Sequence, residues 1–352
     1  MRLQNVSALL AVLTAVALLS SCAGREPAEV EDSQLRFTSG VGTIFQDSRG
    51  RFWFGSQQEG VALLDGGAFT YYTMDDGLSG NQIRSIQEGP DGTLWFATGQ
   101  GVTSFDGDAF TIHTGPRRSG PAIPVGDTWR TAPDDLWFLG DSGMHAGDHD
   151  GQSVYRYDGH GFESLPLVLP TFGDAHNPAL VTEIVKTDDG AVWIATYSGV
   201  LGFDGRTFTT ITEQTPGTGA GLEPLHVRSI CVDSRGVLWI GNNGLGVLRY
   251  DGGVVTNFTE EQGLSIRDKG KIGSLGRIFA IAEDADGSIW FGSRDNGAWR
   301  YDGASLTNFT EADGLTCPMV WTIVRDKDDA LWFGMADGSV CRFNGTSFDK
   351  VY

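Results

Sequence analysis

The stretch of this chain richest in chemical groups is "MHAGDHDG", which holds His145, Asp148, His149 and Asp150. On a helix, His-x-x-x-His turns two imidazoles toward one zinc ion. This stretch has glycines where a helix would not, and it reads as an exposed polar loop. No serine sits in a G-x-S-x-G turn, so the nucleophile elbow of a hydrolase is missing. The recurring D-x-x-G turns lack the full spacing of an EF-hand calcium loop. None of the four cysteines has metal-ligand spacing. Cys231, in the apolar run "SICVD", reads as a small buried hydrophobe, and a Cys317–Cys341 disulfide is left open. No catalytic residue, metal or cofactor is therefore assigned.

These residues are scattered over a repeat that must position them. A tryptophan in "LWFG" or a near copy recurs at Trp53, Trp95, Trp137, Trp193, Trp239, Trp290 and Trp332, at spacings of 42, 42, 56, 46, 51 and 42 residues. Such a period marks a repeat architecture. The cleanest unit is "RIFAIAEDADGSIWFGSRDNGAWRYDGASLTNFT", residues 277–310. It reads as four short apolar runs bounded by Gly, Asp and Asn, which are strands joined by tight turns. Four antiparallel strands per period make one propeller blade. The expected fold is an all-β, seven-bladed β-propeller with blades at about 41–74, 83–114, 127–165, 181–212, 227–259, 277–310 and 319–352. Blade three matches worst, with a shortened first turn in "TWRTAPDDLWFLG". The tryptophan should fill the space between blades. The glycine after it should relieve crowding where the strand leaves the sheet. "LRFT", residues 35–38, should touch blade seven at the ring closure.

The motifs "DADGSIWFGSRDNGAWRYDG" and "YTMDDGLSGNQI" resemble the two-component regulator propeller repeat. Its T-x-x-D-G-L element is seen at Thr73–Leu78 and Thr310–Leu315, with Gln262 in place of Asp in Thr259–Leu264. The resemblance covers residues 41–352 and implies a propeller with a binding role. It names no ligand, and the membrane helix and kinase of the sensor proteins are not carried over. The chain also distantly resembles streptogramin lyase, another seven-bladed propeller, whose activity implies a His and Glu constellation at the top of the channel; His226 and Glu183 lie near first-strand starts, but no spacing pins them together.

Strand alternation puts the connections between blades on the face opposite the D-x-x-G and Asp-Gly turns. Five insertions, residues 115–127, 141–153, 165–180, 213–225 and 260–276, should share that first face. Two residues before the repeated isoleucine, each first strand should present one side chain at the channel mouth. In blade order these are Gly42, Arg84, Trp129, Thr182, Arg228, Phe279 and Trp321. Aromatics and arginines around a mouth suit a planar, sugar-like or anionic ligand; the alternative is that they only cap the blade packing. The expected ligand-binding set is Arg84, Trp129, Arg228, Phe279 and Trp321.

The first 22 residues carry Arg2, the apolar stretch "ALLAVLTAVALL" and "LSSC". They read as a secretory signal of the lipoprotein kind, with lipid on Cys22. Ala23 after the cysteine favours the outer membrane over the inner. Residues 23–34 read as a flexible tether. The formal charge of -20 is spread along the chain and repels nucleic acid. The expected function is a lipid-anchored extracytoplasmic propeller that binds a small molecule, glycan, peptide or protein partner, touches the membrane only through its lipid, and has no catalysis. A lyase using the same face and a structural scaffold of an envelope complex are the alternatives.

Overall fold

The computed structural model describes residues 33–113, 129–139, 153–167, 180–219, 225–264 and 274–352. They lie in the compact unit Asp32–Tyr352. Cys22 with the signal, His145 and His149, and most of the five insertions lie outside the described residues. Short runs of β-formers separated by Gly-containing turns fold as consecutive antiparallel strands. In blade six, Ile278–Glu283, Ile289–Ser293, Ala298–Tyr301 and Leu306–Phe309 pair in chain order. Six blades have this four-stranded order. Blade three shows three strands among the described residues, Leu136–Leu139, Ser153–Tyr157 and Phe162–Pro166. The molecule is a seven-bladed β-propeller of antiparallel blades, almost all strand. Among the described residues no helix is long and apolar enough to cross a membrane.

An apolar cluster lies at each of the seven interfaces between neighbouring blades. The repeated tryptophan points into the next blade. The Trp53 ring lies 5.5 Å from Phe96 and 5.8 Å from Phe105 of blade two. Trp332 of blade seven lies 4.7 Å from Phe52 of blade one, and that interface closes the ring by packing and by the Lys327 backbone N–H and ammonium, which donate to the Gln46 side chain and the Asp47 carbonyl at 2.8 and 2.6 Å. Blade seven is complete with its own four strands. Residues 35–38 add no strand; Phe37 is buried in the closing cluster and Thr38 is held by Glu59 of blade one.

The glycine of "LWFG" has a different role from the expected one. A Cβ on Gly292 would stand 2.8 Å from Val320 Cγ1, and one on Gly334 would stand 2.5 Å from the Val41 carbonyl oxygen. It lets the first strand of the next blade approach closely. The aspartate that opens the D-x-x-G turn also has a job the sequence did not suggest. Asp47, Asp233, Asp284 and Asp326 accept the indole N–H of the tryptophan six residues on, at 3.0, 3.0, 3.2 and 2.7 Å. Asp233 also accepts from the backbone N–H groups of Arg235 and Val237. In blades two, three and four this place holds Gly89, Thr131 and Thr187, and Trp137 Nε1 is buried without a partner.

The T-x-x-D-G-L elements are capped turns. Thr73 and Thr310 cap 3₁₀ turns in which the Asp76 and Asp313 carboxylates accept back from the cap N–H, at 2.8 Å in both. Gly77 and Gly314 then take positive φ, 112° and 102°, as a left-handed cap requires. Leu78 and Leu315 follow into the cores between blades. In blade five the cap moves to Asn257, so Gln262 does not take the aspartate's role. Cys317 and Cys341 are free thiols in the core between blades six and seven.

Candidate functional site

Each described first strand carries a β-bulge at one place. Pairing with the second strand skips one residue between Val41 and Thr43, Ile83 and Ser85, Val181 and Glu183, Val227 and Ser229, Ile278 and Ala280, and Val320 and Thr322. A bulge releases one residue from the ladder and re-aims its side chain. The released residues are Gly42, Arg84, Thr182, Arg228, Phe279 and Trp321, and all six line one cavity of about 480 Å³ enclosed by the first strands. Six of the seven positions expected at the mouth therefore come together.

Trp129 is the correction. It is 6% exposed and absent from the cavity lining. Its ring packs 5.7 Å from Trp137, 5.6 Å from Phe203 and 5.3 Å from Phe208 in the core between blades three and four. Blade three has no isoleucine to mark the register, so the offset that works in the other blades misplaces this residue. Blade three instead presents Trp137 and Leu139 of the strand Leu136–Leu139 to the cavity. The inner edge of that strand is served by a side chain from blade two. The Gln87 carboxamide donates to the Trp137 carbonyl at 2.7 Å and accepts from the Trp137 N–H at 3.4 Å, as a peptide unit would. From blade four, the Lys186 ammonium donates to the Asp135 carbonyl at 2.7 Å.

A second set of rim residues lies four positions after the tryptophan. The N–H groups of Gln57, Gly99, Tyr197, Asn243, Arg294 and Ala336 donate to the carbonyls of Gly40, Gln82, Leu180, His226, Arg277 and Met319, at 2.8–3.1 Å. These bonds fix the start of each first strand. Gln57 and Tyr197 line the cavity. The fixed offset from the tryptophan is a signal that sequence reading could have used and did not.

Two guanidiniums dominate the electrostatics. Arg228 is held between rings, 5.0 Å from the Tyr197 centroid and 4.7 Å from Phe279, and donates to the Tyr197 hydroxyl at 3.0 Å. Its Nε is buried without a partner. Arg84 forms no ion pair or hydrogen bond among the described residues. Burial first, and then the neighbouring Arg228 charge, pull the Arg84 pKa down, although an arginine stays charged at neutral pH. Below the bulge ring stand Thr43, Ser85, Glu183, Ser229, Ala280 and Thr322, small residues except for Glu183. The Glu183 carboxylate accepts from the Ile230 N–H at 2.6 Å and from the Ser229 side chain, and burial pushes its pKa up to about 7. His226, the other residue of the predicted pair, packs on Tyr197 at 4.3 Å. Its Nε2 is buried without a partner, and no hydrogen bond joins it to Glu183. Burial, then Arg228, lowers its pKa.

Three segments, residues 77–100, 221–244 and 273–295, match the family model described as two component regulator propeller. These three segments are similar to that repeat. Each runs through a bulged first strand, so Arg84, Arg228 and Phe279 all fall inside a match. No curated protein matches the sequence significantly. Among solved structures, the extracellular domain of a hybrid two-component system of B. thetaiotaomicron is similar at 21% identity and TM-score 0.58, covering 88% of this chain. This chain spans 38% of that domain's length. Virginiamycin B lyase from Staphylococcus aureus, solved with quinupristin, is similar at 15% identity and TM-score 0.60, covering 89% of this chain and 97% of the lyase. PorZ, a surface component of the type-IX secretion system of Porphyromonas gingivalis, is similar at 18% identity and TM-score 0.58, covering 88% of this chain and 47% of PorZ. At these identities the likeness concerns the fold.

Proposed function

We propose that this protein is a lipid-anchored, extracytoplasmic binding propeller without catalysis, and that its ligand enters the channel at the bulge ring. The observation that carries the reading is the pair Arg84 and Arg228. Two guanidiniums are held in a lined cavity with no carboxylate partner among the described residues, which leaves their donors for something else. Anchoring at Cys22 and an envelope location rest on the signal-like N-terminal sequence. A location outside the cytoplasm also agrees with the extracellular sensor domain and the surface component PorZ that share the fold.

The test is a thermal-shift screen of the full chain against glycan, peptide and metabolite panels, followed by titration of any hit. A ligand whose shift is abolished by the double variant Arg84→Ala with Trp321→Ala supports the channel as the site. A hit that the double variant binds as wild type does removes the mouth from the reading. No shift with any panel, together with stable co-purification of one protein, favours the scaffold. Intact-mass analysis after membrane extraction should show diacylglycerol on Cys22, and Cys22→Ala should release the protein from membranes.

Glu183 favours the lyase as a second reading, because a channel carboxyl with a pKa near 7 suits proton transfer. That reading expects turnover that is lost in Glu183→Gln and in His226→Ala.

A further inference from the structure

Resting on the channel as a binding site, we propose that its ligand is a small hydroxylated carboxylate. The carboxylate lies between Arg84 and Arg228, and the hydroxyl groups face the ring of Ser, Thr and Glu side chains below.

Three features of the cavity lead there. The bulge ring carries two positive charges and no negative one, in a chain whose formal charge is -20. Close cationic groups with no counter-charge are unfavourable alone and become favourable with an anion between them. Asp295, the acidic residue at the rim beside Arg294, is already engaged by Arg277 at 3.0 Å and Arg294 at 3.8 Å. A planar guanidinium prefers a carboxylate, which it can meet with two parallel N–H bonds. Arg228 is set for this by its stacking on Tyr197 and Phe279.

The second feature is the layer beneath. Thr43, Ser85, Ser229 and Thr322 offer hydroxyls, and Glu183 offers an acceptor, one residue past each bulge. Such a layer satisfies hydroxyl groups, where an aryl acid would need apolar walls. The third is size. About 480 Å³ lies in the range of small-molecule sites, roughly 300–1,000 Å³, and holds one or two sugar-sized rings. Trp321, 5.3 Å from Phe279 in an edge-on pair, supplies a ring face to one side.

Isothermal titration of the full chain at low ionic strength tests this with three probes: glucuronate, gluconate and glucose. Glucuronate and gluconate present the carboxylate on a ring and on an open chain; glucose lacks it. The expected result is that at least one acid binds tenfold or more tighter than glucose, and that its affinity falls as salt is raised from 20 to 200 mM, on the order of a Debye-length change from 20 to 7 Å. Arg84→Gln should weaken that binding about tenfold with no fall in the melting temperature of the free protein, since Arg84 holds nothing in the fold and its charge opposes that of Arg228. Preference for glucuronate over gluconate, lost in Trp321→Leu, assigns the ring face. Equal binding of glucose and the acids overturns the inference and leaves the channel as a binding site. So does a neutral ligand from the wider panels that Arg84→Gln binds normally. Failure of all three probes also overturns it, while the panel screen decides the broader reading.

Discussion

The aspartate that accepts the indole N–H sets a measurable share of the stability of four blades. Asp233 is the best example, because its side chain is 0% exposed. It accepts from Trp239 Nε1 at 3.0 Å, Val237 N at 2.9 Å and Arg235 N at 3.0 Å. Asp233→Ala strands two buried donors, the Trp239 indole and the Val237 amide. Each unsatisfied buried donor costs about 1–3 kcal/mol, so the loss is about 4 kcal/mol. The Asp233 ion pair with the exposed Arg235 adds little to this. At about 2 °C per kcal/mol for a chain of this size, the melting temperature should fall by about 8 °C. Calorimetry measures it, and a double-mutant cycle with Trp239→Phe isolates the contact. In the Trp239→Phe background, Asp233→Ala should cost only about 2 kcal/mol, because one of the two donors is gone. Thr187→Ala is the control. Thr187 stands at the same place in blade four, bonds only within its own turn, and should shift melting by less than about 2 °C. A fall below 2 °C for Asp233→Ala, or the same fall in both backgrounds, refutes the pinning argument. Acid should act through the same group. Burial pushes the Asp233 pKa up, but the bonds from Trp239, Val237 and Arg235 outweigh it and hold the pKa below the ordinary value. A depressed folded pKa gives stability that is present above the unfolded value of about 4 and lost as pH falls through the folded value. Wild type should therefore lose stability below about pH 4 more steeply than Asp233→Ala.

Glu183 has the opposite sign: burial raises its folded pKa to about 7 from 4.5, so the fold favours the protonated acid and loses stability as pH rises between those values. The total should be on the order of 3 kcal/mol, and Glu183→Gln should flatten the melting curve between pH 5 and 8; an unchanged slope contradicts the assignment. Gly292→Val should destabilise by about 1–3 kcal/mol, because its Cβ meets Val320 of the next blade; urea unfolding checks it, and a neutral result means the blades are not in close approach there. Gln87→Leu removes both bonds to the Trp137 backbone, and hydrogen exchange at the Trp137 amide should speed up about tenfold or more while exchange in blade six stays fixed.

Much of the ring was legible because its signals are periodic. The tryptophan interval set the number of blades, and the isoleucine after each bulge set six of the seven mouth positions. Those six were readable without any knowledge of bulges, since every extra residue falls at one distance from one marker. Blade three failed for the same reason: with no isoleucine and no described first strand, the counting had nothing to start from, and Trp129 went to a core between blades. The Gln87 surrogate was missed because it acts across a blade boundary, where sequence distance says nothing, and Gln57 and Tyr197 were missed although their offset of four from the tryptophan is constant. The aspartate pins were missed although their interval of six is constant, because a turn signal was already explanation enough for that residue. The glycine after the tryptophan was assigned to its own strand when the constraint lies in the following blade.

The repeated bulge separates two kinds of heritable information. Ladder positions are bound to their neighbours and can change only together. The released residue has no partner on the second strand, so Arg84 or Thr182 can be exchanged without rewriting a pairing. The ring then behaves as a set of sockets that the strand ladder does not couple, although Arg228, Phe279 and Trp321 touch one another in series. Drift or selection can alter the specificity of such a ring one substitution at a time, with the architecture conserved. An engineer can do the same, with Gly42 as the exception, because a side chain there must first displace Gln57.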